Sequence, residues 1–261
     1  MKDTIIDGIH SGRYSVERLP KDLYLQTADK LKAKVYKGFG SSLKDVADDK
    51  LAMLTDLRES TYMFAGAKTF QQVNELSDAL VSEGRHLSLS EYREVAGKIY
   101  DRYNDDWQRV EEDTAQVSAR SAEQWVDIKN EAKEYPFLIY AVDTETACDI
   151  CEPLDGIILP EDDPFWDENA TPQHFNCNCT IGQLTDRDVE EAEGVSSSEE
   201  VDKALSISQR DKNPMFNFNA GKEGAIFKET GENKHPYYDI PEKYKAFAEN
   251  NFNLPIPETD E

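Results

Sequence analysis

The chain has 261 residues, with 29 Lys+Arg against 53 Asp+Glu and a formal charge of −24. That excess of acid repels nucleic acid and anionic membranes alike, which excludes strong binding to either through bulk charge. The length allows one large domain or two ordinary ones. Apolar residues at 38% and charged residues at 31%, against ~45–50% (Gly included) and ~25% in an average globular chain, predict a well-solvated, helix-rich protein.

The charge is segregated. Residues 1–60 hold 11 basic and 10 acidic side chains, and residues 61–261 hold 18 and 43. Only Ile5, Ile6 and Ile9 lie near Asp3 and Asp7, so no secretory apolar core is legible there, and no run approaches the ~18 apolar residues of a membrane span. A cytosolic origin is expected, and the sequons at Asn169 and Asn178 are discounted for that reason.

In chain order, residues 20–39 predict a helix, with Leu23, Ala28, Leu31 and Val35 on one stripe, Lys30, Lys32, Lys34 and Lys37 crowding its second half, and Gly38 and Gly40 ending it. The lysines suit either an acidic partner or a solvated face. Residues 43–58 and 66–83 predict two further amphipathic helices. Ser88-Leu-Ser-Glu91 is a capping box with Leu87 and Tyr92 placed as a hydrophobic staple. From there a helical pattern runs to about Glu134. More than 40 residues is long for one globular helix, so a single break or an extended arm is expected. Its second half, residues 105–134, has nine acids and four bases, as an exposed face requires.

Pro136 marks a change of class. Phe137–Val142, Leu154–Leu159 and Thr180–Leu184 are β-prone, and an acidic loop of Glu161, Asp162, Asp163, Asp167 and Glu168 surrounds Pro164, Phe165 and Trp166. Residues 185–202, with eight acids and one Arg, predict a solvated linker or loose helix. An aromatic, aperiodic segment follows, expected to be extended and to end in a disordered Pro-Glu-Thr-Asp-Glu tail. The fold class expected is α+β. A mainly helical region with a long arm (1–134) precedes a small β-rich Cys/His module (135–184), then an acidic linker and extended tail (185–261).

All four cysteines fall inside that module. Cys148 and Cys151 form C-x-x-C, Cys177 and Cys179 form C-x-C after 25 intervening residues, and His174 stands three residues before Cys177. C-x-x-C brings two thiolates to one ion from a turn, and C-x-C in an extended segment puts both sulfurs on one face. Tetrahedral structural zinc takes four such ligands, and a module of about fifty residues gains stability from one. Five candidates for four positions leave His174 or one of the C-x-C pair spare. Reduced packing cysteines, disulfides and a redox pair are the competing readings. A Cys–His nucleophile pair and a divalent cation on Asp162, Asp163 and Asp167 are weaker ones. The zinc deaminase signature, H-E-x-x-H, G-x-S-x-G and a phosphate loop are absent from the sequence.

Together these motifs resemble a known family. Glu134-Tyr-Pro-Phe-Leu-Ile-Tyr140, Asp143, Leu154-Asp-Gly156, the run from Leu159 through Asp-Asp-Pro-Phe-Trp to Asp167, and Pro172-Gln-His-Phe-Asn-Cys-Asn-Cys179 resemble the phage Mu F-like minor head proteins, the phage head morphogenesis family. Leu19-Pro-Lys-Asp-Leu23, Phe64–Lys68, Tyr103-Asn-Asp-Asp-Trp107, Asn217–Lys222 and His235-Pro-Tyr-Tyr238 extend the likeness over about residues 5–245. Asn178 stands where the family usually has Arg, and Ala220 where it has Pro. The resemblance implies a non-enzymatic minor head protein of the virion, made in the host cytoplasm. Its implied partners are the portal and other head proteins, in procapsid assembly and, in some systems, DNA packaging or delivery. The alternative the family suggests is a Mu F-like toxin or zinc-dependent enzyme. The lysine-rich N-terminal helices and the aromatic tail are the expected contact surfaces.

Overall fold

A computed structural model describes residues 1–143, 148–192 and 194–258. In chain order its main elements are α1 (Lys2–His10), α2 (Lys21–Phe39), α3 (Leu51–Asp78), β1 (Val81–Ser82), β2 (Arg85–His86), α4 (Leu89–Asp101), a π-helical turn (Arg102–Asp106), α5 (Trp107–Glu131), β3 (Phe137–Ala141), β4 (Ile158–Pro160), α6 (Phe165–Asn169), β5 (Thr180–Leu184), α7 (Asp186–Glu191), α8 (Ser198–Ser208), α9 (Ala220–Glu223) and α10 (Lys245–Glu249). The chain is α+β, as its patterning implies. No helix among the described residues is long and apolar enough to cross a membrane.

The helix predicted over 20–39 is α2. Gly40, at φ +77°, is the left-handed residue that ends it. Gly38 does something else: a Cβ there would lie 2.0 Å from the Gln116 carbonyl oxygen, so its bare backbone lets α2 and α5 touch. The helix expected over 43–58 starts late, at Leu51, and continues through the segment expected to begin at 66, making α3 one 28-residue helix. Its moderate polarity hides that continuity, because buried Thr61, Lys68, Thr69 and Gln72 interrupt the apolar stripe. The long pattern after Ser88 does break once. The capping box forms, with both the Ser88 and Glu91 side chains bonded to backbone N–H groups, and the π turn at 102–106 separates α4 from α5.

The chain divides into two compact units. One comprises residues 1–33, 59–112 and 236–261. Its core gathers Ile5, Ile6 and Ile9 of α1, Phe64 and Phe70 of α3, Tyr92 and Ile99 of α4, and Tyr237 and Phe252 of the C-terminal segment. Phe70 stacks on Phe252 at 5.0 Å and 22°, and Tyr103 on Tyr237 at 6.0 Å and 19°. A buried polar group sits inside it: Lys68 donates to Gln108 Oε1 at 2.8 Å and to Glu111, and the Tyr237 hydroxyl donates to Glu111 Oε1 at 2.8 Å. Burial pushes the Lys68 ammonium down and the Glu111 carboxyl up, while each partner holds the other's charge.

The other unit comprises residues 34–58 and 113–235. Its sheet is antiparallel in the order β4-β3-β5, with Leu138 opposite Leu159 and Tyr140 opposite Ile181. Leu138 and Tyr140 point into a core shared with Trp125, Ile128, Phe165 and Trp166. Here the lysines of the first sixty residues meet acids of α5: Lys34 pairs with Asp113 at 2.6 Å, and Lys50 with Glu123 and with Asp127 at 2.7 Å. An acidic partner for these two lysines therefore exists within the chain. The 185–202 linker is also structured. Capping boxes at Thr185/Asp188 and Ser197/Glu200 start α7 and α8, and Ser196 exchanges two bonds with Ile158 on strand β4. The expected extended tail is instead a series of short helices and turns after residue 210, with Phe216, Phe218 and Phe227 buried. Single large aromatics at irregular spacing, not a periodic stripe, bury this segment. The last three tail residues lie outside the described residues.

Candidate metal centre

Three loops converge beside the β4-β3-β5 sheet. The first carries Cys148 and Cys151, where the N–H groups of Cys151 and Glu152 both bond the Cys148 carbonyl, at 3.0 and 2.9 Å. That turn leads into a one-turn 3-10 helix, Glu152–Leu154. The Leu154-Asp-Gly156 turn then locks the loop to β3. Gly156, at φ +76°, donates to the Tyr140 carbonyl, Ile157 accepts from the Tyr140 N–H, and Asp155 Oδ1 accepts from the Val142 N–H at 2.9 Å.

The second loop carries His174, Cys177 and Cys179 into β5. Asn176 takes φ +60°, which turns the chain so that the Cys177 N–H reaches the His174 carbonyl. Cys177 and Cys179 are buried and Asn178 is exposed, the alternation that C-x-C spacing predicts. Asn178 therefore faces away from the sulfurs.

The third loop is Asp162–Asp167. Asp163 Oδ1 accepts from the Phe165 N–H at 2.8 Å, and Asp167 pairs with Lys222, so two of the three carboxylates considered for a cation already hold protein donors. Trp166 is fully buried; its indole N–H donates to the Pro160 carbonyl at 2.9 Å, and its own carbonyl accepts from Asn219 at 3.0 Å. Asn219 also caps α9. The next turn presses Gly221 on Trp125, where a Cβ would meet the Trp125 Cβ at 2.2 Å, and places the Lys222 ammonium 5.2 Å over the Trp125 ring. Asn219, Gly221 and Lys222 support the site from behind. Their signal in the sequence is the Asn-x-Asn-x-Gly-Lys run, which reads as a turn until Trp125 is placed against it.

All five sequence-selected residues come together. Cys151, Cys177 and Cys179 form one triad and Cys148, Cys151 and His174 another, with donor atoms within 4.8 Å of one another in each. The Cys151 and Cys177 sulfurs are 3.9 Å apart, and Cys148 Sγ lies 3.2 Å from His174 Nε2. None of the four cysteines is in a disulfide. The buried sulfurs share protons: Cys177 is pulled down to about 3 by the Cys151 and Cys179 thiols beside it, and Cys151 is driven up by the same contacts. The Tyr140 hydroxyl donates to Cys151 at 3.6 Å. Lys212, buried with its ammonium on the Glu168 carbonyl at 2.7 Å, is pushed down to about 7 by burial, while Glu168, Cys151 and Cys177 act to keep it charged. Buried sulfurs with one imidazole within reach are the donor set of a tetrahedral N/S site, and the residues present fit a metal ion.

Residues 68–182 match the family described as Phage Mu protein F like protein. This region is Mu F-like. The match takes in the last part of α3 from Lys68, the α4–π–α5 arm and the whole Cys/His site, and stops inside β5. The Leu19–Leu23 and Asn217–Tyr238 segments of the resemblance lie outside the matched residues. No curated protein matches the chain, and no solved structure does.

Proposed function

We propose that this chain is a minor head protein that acts at the portal during procapsid assembly through protein–protein contacts, without catalysis. The observation that carries the reading is the Mu F-like match, which spans the acidic helical arm and the Cys/His site as one region. In the same reading the Cys/His site holds one structural Zn²⁺. The ion would cross-link the Cys148–Cys151 turn to the His174–Cys179 loop and so stiffen a module with only three short strands.

One observation favours the enzymatic alternative: Cys148 and His174 face each other at 3.2 Å, the contact a nucleophile–base pair needs. The surface beside them weighs against it. A cavity next to the Cys148–Cys151 turn is lined by Asp149, Glu152 and Asp211 with one cation, Arg210, so it repels an anionic nucleophile and offers little to a developing oxyanion.

Co-purification with the portal protein of the same phage or prophage tests the assembly reading. Stable association supports it. No association, together with a hydrolase or transferase activity lost in Cys148→Ser, would overturn it. Elemental analysis of protein purified without chelator tests the metal: about one zinc per chain is expected, and less than about a tenth favours reduced packing cysteines.

A further inference from the structure

Helix α8 packs on the Glu152–Leu154 turn, and a groove lies along their contact. Asp149 stands inside the C-x-x-C turn, Glu152 opens the one-turn helix after it, and Asp211 follows the end of α8. All three are exposed, and all three line one cavity of about 520 Å³. None of them pairs with a protein cation among the described residues. The cation beside them, Arg210, is turned to the end of α8, with Nε 3.5 Å from the Ile207 carbonyl oxygen.

A second cavity, of about 370 Å³, meets the first at Pro153 and Ile207, which line both. Ile157 and Ala204 extend that apolar strip. The second cavity has two carboxylates of its own, but both are engaged: Asp155 accepts from the Val142 N–H, and Glu200 closes the capping box of α8. The unengaged acids are the three of the first cavity. Like charges around one cavity hold its potential negative. The C-terminal end of α8, which reaches the same cavity at Ile207, adds to that potential.

Spacing selects the class of cation. Asp149, Glu152 and Asp211 do not come together as a group within 4.8 Å, so they cannot close on one metal ion. Separate ammonium or guanidinium groups, each on its own carboxylate, suit that spacing. The apolar strip between them suits an aliphatic side chain. A polypeptide segment with Lys or Arg on both sides of a Leu, Ile or Val offers both.

We infer that this groove docks a basic segment of a partner protein, with one aliphatic side chain on Pro153 and Ile207 and its cations on Asp149, Glu152 and Asp211. This rests on the assembly reading above and names the kind of surface its partner presents. Because one wall is the Cys148–Cys151 turn, whatever orders the Cys/His site also shapes the groove.

The test uses the full chain and a short fluorescent peptide of Lys residues around a central Leu, beside versions with Glu for Lys or Gly for Leu. Anisotropy at low and high salt reads binding to wild type, to Asp149→Asn/Glu152→Gln/Asp211→Asn, to Ile207→Ser, and to a charge-matched control on exposed acids elsewhere, Glu94→Gln/Asp105→Asn/Asp106→Asn. The Lys–Leu peptide should bind wild type and control alike, about tenfold more weakly to the groove triple variant and several-fold more weakly to Ile207→Ser. The Glu version should not bind, and the Gly version should ignore Ile207→Ser. Equal losses in the groove and control variants reduce the effect to bulk charge and overturn the docking site. So does binding unchanged by Asp211→Lys, which leaves the Cys148–Cys151 turn intact should the triple variant fail to fold. A wild-type dimer that dissociates in the triple variant makes the occupant a second copy and overturns the partner. Portal association kept in full by the triple variant overturns the partner assignment and leaves the assembly reading standing. No portal association by a wild type that binds the peptide defeats the assembly reading alone.

Discussion

Lys68→Met deletes one ammonium and leaves a carboxylate behind it. Glu111 is 4% exposed and would keep only the Tyr237 hydroxyl as a donor among the bonds described above. A lone buried carboxylate is costly enough that it takes up a proton instead. Holding a carboxyl of ordinary pKa 4.5 protonated at pH 7 spans two and a half pH units at ~1.4 kcal/mol each, about 3.4 kcal/mol. Gln108 Oε1 also loses its donor, for about 1 kcal/mol more. The expected penalty is therefore about 4 kcal/mol at pH 7 and about 2 kcal/mol at pH 5. The sign follows from a folded pKa raised above the unfolded one: the stability linked to Glu111 in the variant is present below 4.5 and is lost as pH rises. Urea unfolding of wild type and variant at pH 5, 6 and 7 measures it, and Lys68→Met with Glu111→Gln should recover most of the loss at pH 7. An equal penalty at pH 5 and pH 7, or a double variant no better than the single one, would refute the reasoning.

Other outcomes follow from the same structure. Glu91, held down to about 2 by Arg85 and Ser88, supports the start of α4 above its ordinary 4.5, and that support should disappear as pH falls from about 4.5 to about 2; amide exchange at Glu91 and Tyr92 reads it, and unchanged protection across the window counts against the capping box. Gly221→Val forces a branched side chain onto Trp125 and should cost about 1–3 kcal/mol in thermal or urea unfolding, against a small effect for Gly97→Ala, whose added Cβ would meet only the Lys2 side chain, at 3.6 Å. Chelation at pH 7 should lower the melting temperature and loosen the near-ultraviolet signal of Trp166 and Tyr140, with recovery on adding zinc back; an unchanged melt would argue for packing cysteines. Full-length protein should fail to shift duplex DNA even at low salt, and a shift there would contradict the charge argument.

The clustering of the four cysteines and His174 was legible because its signal is local. Spacing alone groups C-x-x-C with H-x-x-C-x-C, and the Leu154-Asp-Gly156 turn that carries the first pair to the second is a short motif. The capping box at Ser88 was legible for the same reason. What could not be read were the features defined by partners distant in sequence. Gly38 reads as a helix stop until Gln116 is placed against it. Lys68 reads as a surface lysine until Glu111 and Tyr237 close around it. The 43–50 stretch has helical spacing, yet it forms turns and no helix begins until Leu51, while Lys50 pairs with Glu123 and Asp127 of α5. The aromatic C-terminal segment has no period because its large side chains insert singly into cores built by other parts of the chain.

The segment composition of the two units sets an order on folding. The unit that opens the chain also contains residues 236–258, and the Tyr24 hydroxyl bonds the Pro255 carbonyl across 231 positions, at 2.8 Å. During synthesis α1 and α2 must therefore wait for almost the whole chain before their core can close, while the Cys/His unit has all its segments by residue 235. The ends are thus tied together last. A C-terminal deletion would injure the N-terminal helices first, and a truncation series would report on α1 before it reported on the Cys/His site.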